Sequence, residues 1–126
     1  MIRYRYNRQF SPPAPFVHVP LERPDGESGL RELPAQLDTA ADVSVLPTPL
    51  VEKLGLVQLD ALAVAAFGGT VRTFPTFLVR LSIHNQPPGV VEVLGSSEEP
   101  HILLGRDVLN QHRILLNGPQ TLLEID

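Results

Sequence analysis

The most informative part of the sequence is Leu37-Asp38-Thr39-Ala40-Ala41-Asp42. It starts at the end of an apolar run, residues 33–37, that we predict to be a strand, and small residues follow its first aspartate. A carboxylate at the end of a buried strand, with no bulky neighbour to cover it, is partly desolvated and still accessible. Asp38 is therefore the first candidate for a catalytic residue.

A single aspartate in such a setting also predicts a second carboxylate close to it. Two carboxylates held about 3 Å apart cannot both ionise, so they share a proton, and one acts as a base toward water while the other acts as an acid toward a carbonyl. The chain has one aspartate of this kind, so the second should come from another copy. A two-fold axis through the site would supply it, and we expect a homodimer.

Two further features follow along the chain. Gly68-Gly69 predicts a tight hairpin turn, because both positions tolerate positive φ, with strands at 62–67 and 70–74 on either side. Residues 101–104 predict a short, buried central strand that Gly105 ends, and residues 106–112 predict a short helix.

The remaining pattern is mostly strand. The 13 prolines and 9 glycines leave little room for long helices. We predict one more short helix, at 49–54, which Gly55 ends. The other strands are expected at 16–21, 30–37, 77–83, 90–94, 113–116 and 121–125. Together these elements indicate a small closed or partly closed β fold.

These features resemble the retropepsin-like, or retroviral-type, aspartic proteases. Residues 37–42 look like the family's hydrophobic-Asp-Thr/Ser-Gly-Ala signature, and residues 102–107 are similar to its second signature, two aliphatic residues followed by Gly and often Arg-Asp or Arg-Asn. About 65 residues separate the two, which suits a single-lobed subunit, and the Gly68-Gly69 hairpin lies where the family has its flap. The C-terminal part looks closer to cellular, bacterial and transposon-encoded relatives than to viral enzymes.

The resemblance extends from about Phe16 to Asp126 and implies the architecture. We expect an all-β, single-lobed acid-protease fold, a closed barrel with a flap hairpin and one or two short helices. Residues 16–126 would form the protease domain. Residues 1–15 would form an N-terminal arm that is a dimer-interface strand or disordered, and the strand at 122–125 is a second interface candidate.

The resemblance also implies catalytic and supporting roles. Asp38 would activate the lytic water together with its counterpart, and the Thr39 hydroxyl would hydrogen-bond across the two-fold axis. Ala40 completes the catalytic motif. Arg106 would pair with Asp42, and two further residues would support the catalytic loop, namely Leu103 and Gly105.

A peptide or protein substrate would bind as an added strand between the flap and the site floor. The residues that the resemblance implies for substrate binding are Ala41, Asp42, Ala66, Phe67, Gly68, Gly69 and Leu104. The expected activity is that of an aspartic endopeptidase with no cofactor and no metal.

Simpler interpretations remain open at this stage. Asp38 could be a helix-cap or turn aspartate, the Gly-Gly hairpin could be an ordinary exposed one, and Asp42 and Arg106 could be solvated surface charges. The family usually has Gly where this chain has Ala40. The alternative function is a catalytically silent dimerisation or peptide-binding module of the same fold, and a third hypothesis is a ubiquitin-pathway-like accessory protease domain.

The composition of the chain limits the kinds of partner and chemistry that we expect. The chain has 126 residues, a formal charge of −4 and no cysteine, which argues against a nucleic-acid binder and excludes disulfides and thiol catalysis. No apolar stretch approaches the roughly 20 residues needed to span a membrane. The first residues lack the apolar run of a secretion signal, so we expect a cytoplasmic protein without membrane partners.

Overall fold

The computed structural model describes residues 1–65, 68–83 and 86–126. Ten strands and two short helices occur in the described residues, and no helix there is long and apolar enough to cross a membrane. In chain order they are β1 (Ile2–Arg5), β2 (Phe16–Glu22), β3 (Gly29–Leu37), β4 (Val45–Pro47), α1 (Thr48–Leu54), β5 (Gln58–Ala65), β6 (Val71–Leu81), β7 (Gly89–Ser96), β8 (Ile102–Leu104), α2 (Arg106–Leu109), β9 (Ile114–Asn117) and β10 (Leu122–Ile125).

The larger of two sheets has the strand order β2-β3-β8-β4-β7-β6-β5. Its strand β2 also pairs with β6, where Leu21 lies opposite Leu81, so that the strands from β2 to β6 in this order form a ring. Strand β5 lies outside the ring and pairs with β6. The predicted all-β class is confirmed, but the closure is looser than in a regular barrel, since it depends on a short pairing and leaves β5 as an edge.

The core lies inside this ring. Alternate residues of β2, Val17, Val19 and Leu21, are fully buried, as expected for a strand with one face toward the interior. Side chains from the other strands and both helices complete the cluster, among them Leu46, Leu54, Val79, Val93, Ile102, Leu104 and Leu109.

Strands β2 and β3 pair antiparallel, and Pro34 lies opposite His18 in regular register. The irregularity of this pairing precedes Pro34 in β3. The register shifts between Val19 and Leu21, and Glu32 on the opposite strand has a positive φ of 56°. Pairing of β3 with β8 begins at Ala35, directly after Pro34. The proline therefore precedes the doubly paired part of β3, where its missing N–H would break a hydrogen bond.

Helix α1 forms as predicted. Thr48 opens it, Pro49 occupies its first turn, and Gly55 ends it in the left-handed conformation with φ 65°. Helix α2 ends at Leu109, three residues earlier than predicted.

Strand β6 corrects another boundary, because it is continuous through Pro75, where two separate segments were expected. Pairing with β7 begins only at Thr76, so the proline lies outside the doubly paired part of β6. Strand β7 extends to Ser96, two residues beyond the predicted end at residue 94.

The smaller sheet has the order β1-β10-β9 and contains both ends of the chain. Ile2 lies opposite Ile125, and Leu123 and Ile125 are fully buried. Strand β1 is thus ordered by pairing with β10 of its own chain. Whether residues 1–15 act as an interface element is still a prediction.

Thr76 gives a test of the packing between β6 and its neighbours. It is 2% exposed, and its hydroxyl has no hydrogen-bond partner among the described residues. We expect Thr76→Val to raise the free energy of unfolding by about 1 kcal/mol, because a buried hydroxyl without a partner is replaced by a methyl group of the same shape.

Urea unfolding would measure the effect. Thr73→Val on the same strand is the matched control, since Thr73 is exposed and should change stability by less than about 0.5 kcal/mol. A lower stability of Thr76→Val would contradict this prediction and would show that the Thr76 hydroxyl forms a hydrogen bond in the folded protein.

Candidate active site

Asp38 lies directly beyond the end of β3, beside the end of β8. The two strands are parallel, with Leu37 opposite Leu104, and the Asp38 N–H donates to the Leu104 carbonyl at 2.9 Å. The chain then turns sharply: the Ala41 N–H donates to the Asp38 carbonyl at 3.2 Å, and the Ala40 N–H donates to Asp38 Oδ1 at 3.1 Å. The carboxylate is held by backbone and belongs to a half-buried residue, as the sequence predicts.

The loop after Asp38 is tied to the start of α2. The Arg106 N–H donates to the Ala41 carbonyl at 2.9 Å, and its guanidinium donates to the Thr39 carbonyl at 2.7 Å. The same guanidinium pairs with the Asp42 carboxylate, which confirms the predicted ion pair. Because the Asp42 side chain is 80% exposed, the pair contributes little to stability, and its main effect is to hold the geometry of the loop.

A buried polar network, which the sequence did not predict, supports this loop from behind. Ser44 is fully buried, and its hydroxyl donates to Asp107 Oδ1 at 2.7 Å while accepting the Gly105 N–H at 2.9 Å. The Ser44 N–H donates to Asp107 Oδ2 at 2.9 Å. A serine between two valines and an aspartate after Arg106 are the only signals of it in the sequence.

Gly105 allows the two loops to approach closely, as the resemblance implies. A Cβ at this position would lie 2.8 Å from the Val43 carbonyl carbon and 2.9 Å from the Ala41 oxygen. Both are backbone atoms of the loop that follows Asp38, so there is no flexible side chain that could move aside.

A cleft of about 450 Å³ lies beside the loop. Its lining includes Ala40, Ala41 and Asp42 on one side and β5 residues 62–65 on the other, with Val45 and Leu94 between them. Two of the predicted substrate contacts, Ala41 and Asp42, therefore line a groove between the loop and the β5–β6 hairpin.

The other predicted site residues are distributed unevenly. Gly68 and Gly69 are exposed and have positive φ, 95° and 85°. The predicted two-residue turn needs a correction, because it would place Ala65 opposite Arg72, whereas Ala65 pairs with Val71. Ala66 and Phe67 lie outside the described residues. Thr39 is exposed and does not line the cleft.

Leu104 needs a correction as a substrate contact. It is fully buried in the core cluster and does not line the cleft, because its side chain points into the ring of strands. Its contribution is support: its carbonyl anchors Asp38. Leu103 is partly buried and lies opposite Val45.

The described part of the chain contains no group of three or more His, Cys, Asp and Glu residues that could hold a metal ion.

Solved structures of similar shape include three proteases or protease-like domains. The EIAV protease in complex with the inhibitor HBY-793 has a TM-score of 0.57 and 24% identity over 78% of this chain and 86% of that one. A retropepsin-like aspartic protease from Rickettsia conorii has a TM-score of 0.64 and 14% identity over 97% and 86% of the two chains. The retroviral protease-like domain of Ddi1 from Leishmania major has a TM-score of 0.50 and 17% identity over 88% of each.

These likenesses show that the chain has the retropepsin-like fold, over nearly its whole length. No protein-family model matches the sequence, and no curated protein matches it either. The fold predicted from the two sequence motifs is thereby confirmed by shape.

Gly105 provides a direct test of the contact between the two loops. We expect Gly105→Ala to lower the free energy of unfolding by about 1–3 kcal/mol, because the added methyl group overlaps backbone atoms. Gly118→Ala is the matched control, since a Cβ there meets nothing within 4 Å. Equal stability of the two variants in urea would contradict the close approach.

Proposed function

We propose that this chain is a homodimeric aspartic endopeptidase that hydrolyses peptide bonds between two Asp38 residues, one from each copy. The observation that carries the proposal is the setting of Asp38. Asp38 is half-buried and is held by backbone hydrogen bonds at the end of a buried strand, and its carboxylate accepts one of them. The cleft is lined by residues 40–42 of the loop that follows, and not by Asp38 itself.

The chemistry follows from two such carboxylates sharing one proton. The ionised one takes a proton from a water molecule as the water oxygen attacks the peptide carbonyl carbon. The protonated one gives its proton to the carbonyl oxygen. The tetrahedral diol then collapses. The aspartate that took the water proton gives it to the amide nitrogen, the other takes a proton from a diol hydroxyl, the C–N bond breaks, and a carboxylic acid and an amine leave.

A second copy is needed because the other acids of this region are engaged. Asp42 is paired with Arg106, and Asp107 accepts hydrogen bonds from Ser44. Across the described residues the Asp38 carboxylate accepts one hydrogen bond, from the Ala40 N–H, so it keeps acceptor capacity for a proton shared with another acid.

The surface of the smaller sheet supports the dimer. Strand β9 is at an edge of that sheet, and it carries two exposed leucines, Leu115 at 57% and Leu116 at 50%. An edge strand with unpaired backbone and apolar side chains favours pairing with another chain. We propose that β9 contributes to the contact between the copies.

The cleft suits an extended peptide. Its walls are mostly small or apolar, and residues 62–65 of the β5–β6 hairpin line the side opposite the loop. A peptide lying there would pair its backbone with the loop and the hairpin and place alternate side chains against the apolar walls.

The silent module remains the second candidate, and Ala40 is the observation that favours it. Ala40 is exposed, so its methyl group lies on the surface beside the carboxylate. Its N–H nevertheless donates to Asp38, as the glycine of the family's motif could do, and this supports the enzyme.

Substitution of Asp38 distinguishes the two. We expect Asp38→Asn to lower kcat/KM on a mixed peptide library at pH 4–7 by at least about a hundredfold, because the amide can neither take nor give the shared proton. Asp25→Asn, in the exposed β2–β3 turn, is the control and should keep full activity. Undiminished cleavage by a folded Asp38→Asn dimer would rule out the mechanism, and a wild-type dimer without any activity would favour the silent module.

The dimer contact has its own test. We expect Leu116→Glu to raise the dissociation constant of the dimer at least about tenfold, because the contact would then bury an unpaired charge. Sedimentation of this variant beside Val57→Glu, whose exposed apolar residue lies in the segment after α1, would measure it. A dimer as tight as the wild type would exclude β9 from the interface.

A further inference from the structure

A second, smaller pocket adjoins the cleft that residues 40–42 line. It has a volume of about 220 Å³, enough for one side chain of a bound peptide. It shares Val45, Val64 and Leu94 with the cleft, so the two are separated only by these apolar residues. We call it the side pocket, and its lining is Val45, Val64, Arg72, Phe74, Leu94, Ser96, Glu98 and Glu99.

The side pocket is built from two facing surfaces. On the hairpin, Val64 lies opposite Arg72 in the pairing of β5 with β6, and Phe74 is two residues further along the same face. On the body of the protein, Val45 lies opposite Leu94 in the pairing of β4 with β7. The strands therefore supply apolar walls on both sides, and the polar residues of the lining are Arg72, Ser96, Glu98 and Glu99.

The charged side chains that line the pocket, one basic and two acidic, do not cancel. Arg72 Nη1 donates to both carboxylate oxygens of Glu98, at 2.6 and 2.7 Å, and its guanidinium lies 5.2 Å from the centre of the Phe74 ring. Glu98 thus neutralises Arg72. Glu99 lines the same pocket and forms no ion pair within residues 1–65, 68–83 and 86–126, so the pocket carries one excess negative charge.

We infer that the side pocket selects a lysine or arginine side chain of the peptide substrate. The inference rests on the proposed protease function and names the substrate class for it. The aliphatic stem of such a side chain would pack between Val64 and Leu94, and its charged end would reach Glu99. The pairing of Arg72 with Glu98 leaves Glu99 to receive this charge.

Other side chains fit the pocket less well. An acidic side chain would face Glu98 and Glu99 and could reach Arg72 only by displacing Glu98. An uncharged apolar side chain would fill the walls but add no partner for Glu99. A partly exposed ion pair gives a modest gain, so we expect a preference of about three- to fivefold for a basic residue over an uncharged one.

Peptide binding to the Asp38→Asn variant tests this without needing cleavage. A positional library of fluorescent peptides, with Lys, Arg, Met or Glu at each position in turn, would be titrated and followed by anisotropy. We expect one position to favour Lys and Arg over Met about three- to fivefold. Adding Glu99→Gln should remove this preference, whereas adding Glu27→Gln, an exposed acid in the β2–β3 turn, should leave it unchanged.

The outcomes separate the two proposals. A basic preference that survives Glu99→Gln, a preference for Glu, or no preference at any position would each overturn the side-pocket inference. Wild-type protein that binds basic peptides through Glu99 but cleaves none of them would leave the side pocket intact and refute the protease. Cleavage by the wild type without a preference for basic residues would support the protease and refute the side-pocket inference.

Discussion

The parallel pairing of β3 with β8 is the constraint on which the candidate site depends. The two strands end side by side, with Leu37 opposite Leu104, and both residues belong to the core. The Asp38 N–H extends this ladder by one hydrogen bond. Because the last residues of both strands are buried, core packing sets the point at which the chain leaves the sheet. The position of Asp38 is fixed in the same way.

The loop that follows shows how a polar site can be built on an apolar core. Behind it, Ser44 and Asp107 satisfy each other and the Gly105 N–H, so no buried polar atom of this cluster lacks a partner. In front, Arg106 holds the loop through the Thr39 carbonyl and Asp42. A buried network of this kind is stabilising only when every member is satisfied, and that condition leaves Asp38 as the acid of the region with acceptor capacity to spare.

Much of the local structure could be predicted because its signals are local. Gly55 at the end of α1 and the pair Gly68-Gly69 occupy backbone conformations with positive φ, which glycine adopts without strain. The boundaries of β6 and β7 were harder to predict, since Pro75 interrupts a strand pattern in sequence but lies outside the doubly paired part of the strand. The Ser44 network was missed because a serine between valines has no periodicity to distinguish it from a loop residue.

The sequence by itself determined the chemical candidates: one aspartate after an apolar strand, a second apolar motif ending in Gly105, and a glycine turn between them. Those are properties of residue type and order alone. Only the tertiary structure decided which side chains face the cleft. It placed Leu104 in the core, it joined Ser44 to Asp107 across 63 residues, and it brought Arg72 of the hairpin to Glu98 beyond β7. The physical reason is that the direction and burial of a side chain depend on strand register across the sheet. Register pairs residues that are far apart in the chain, and the residues next to them in sequence do not reveal that pairing.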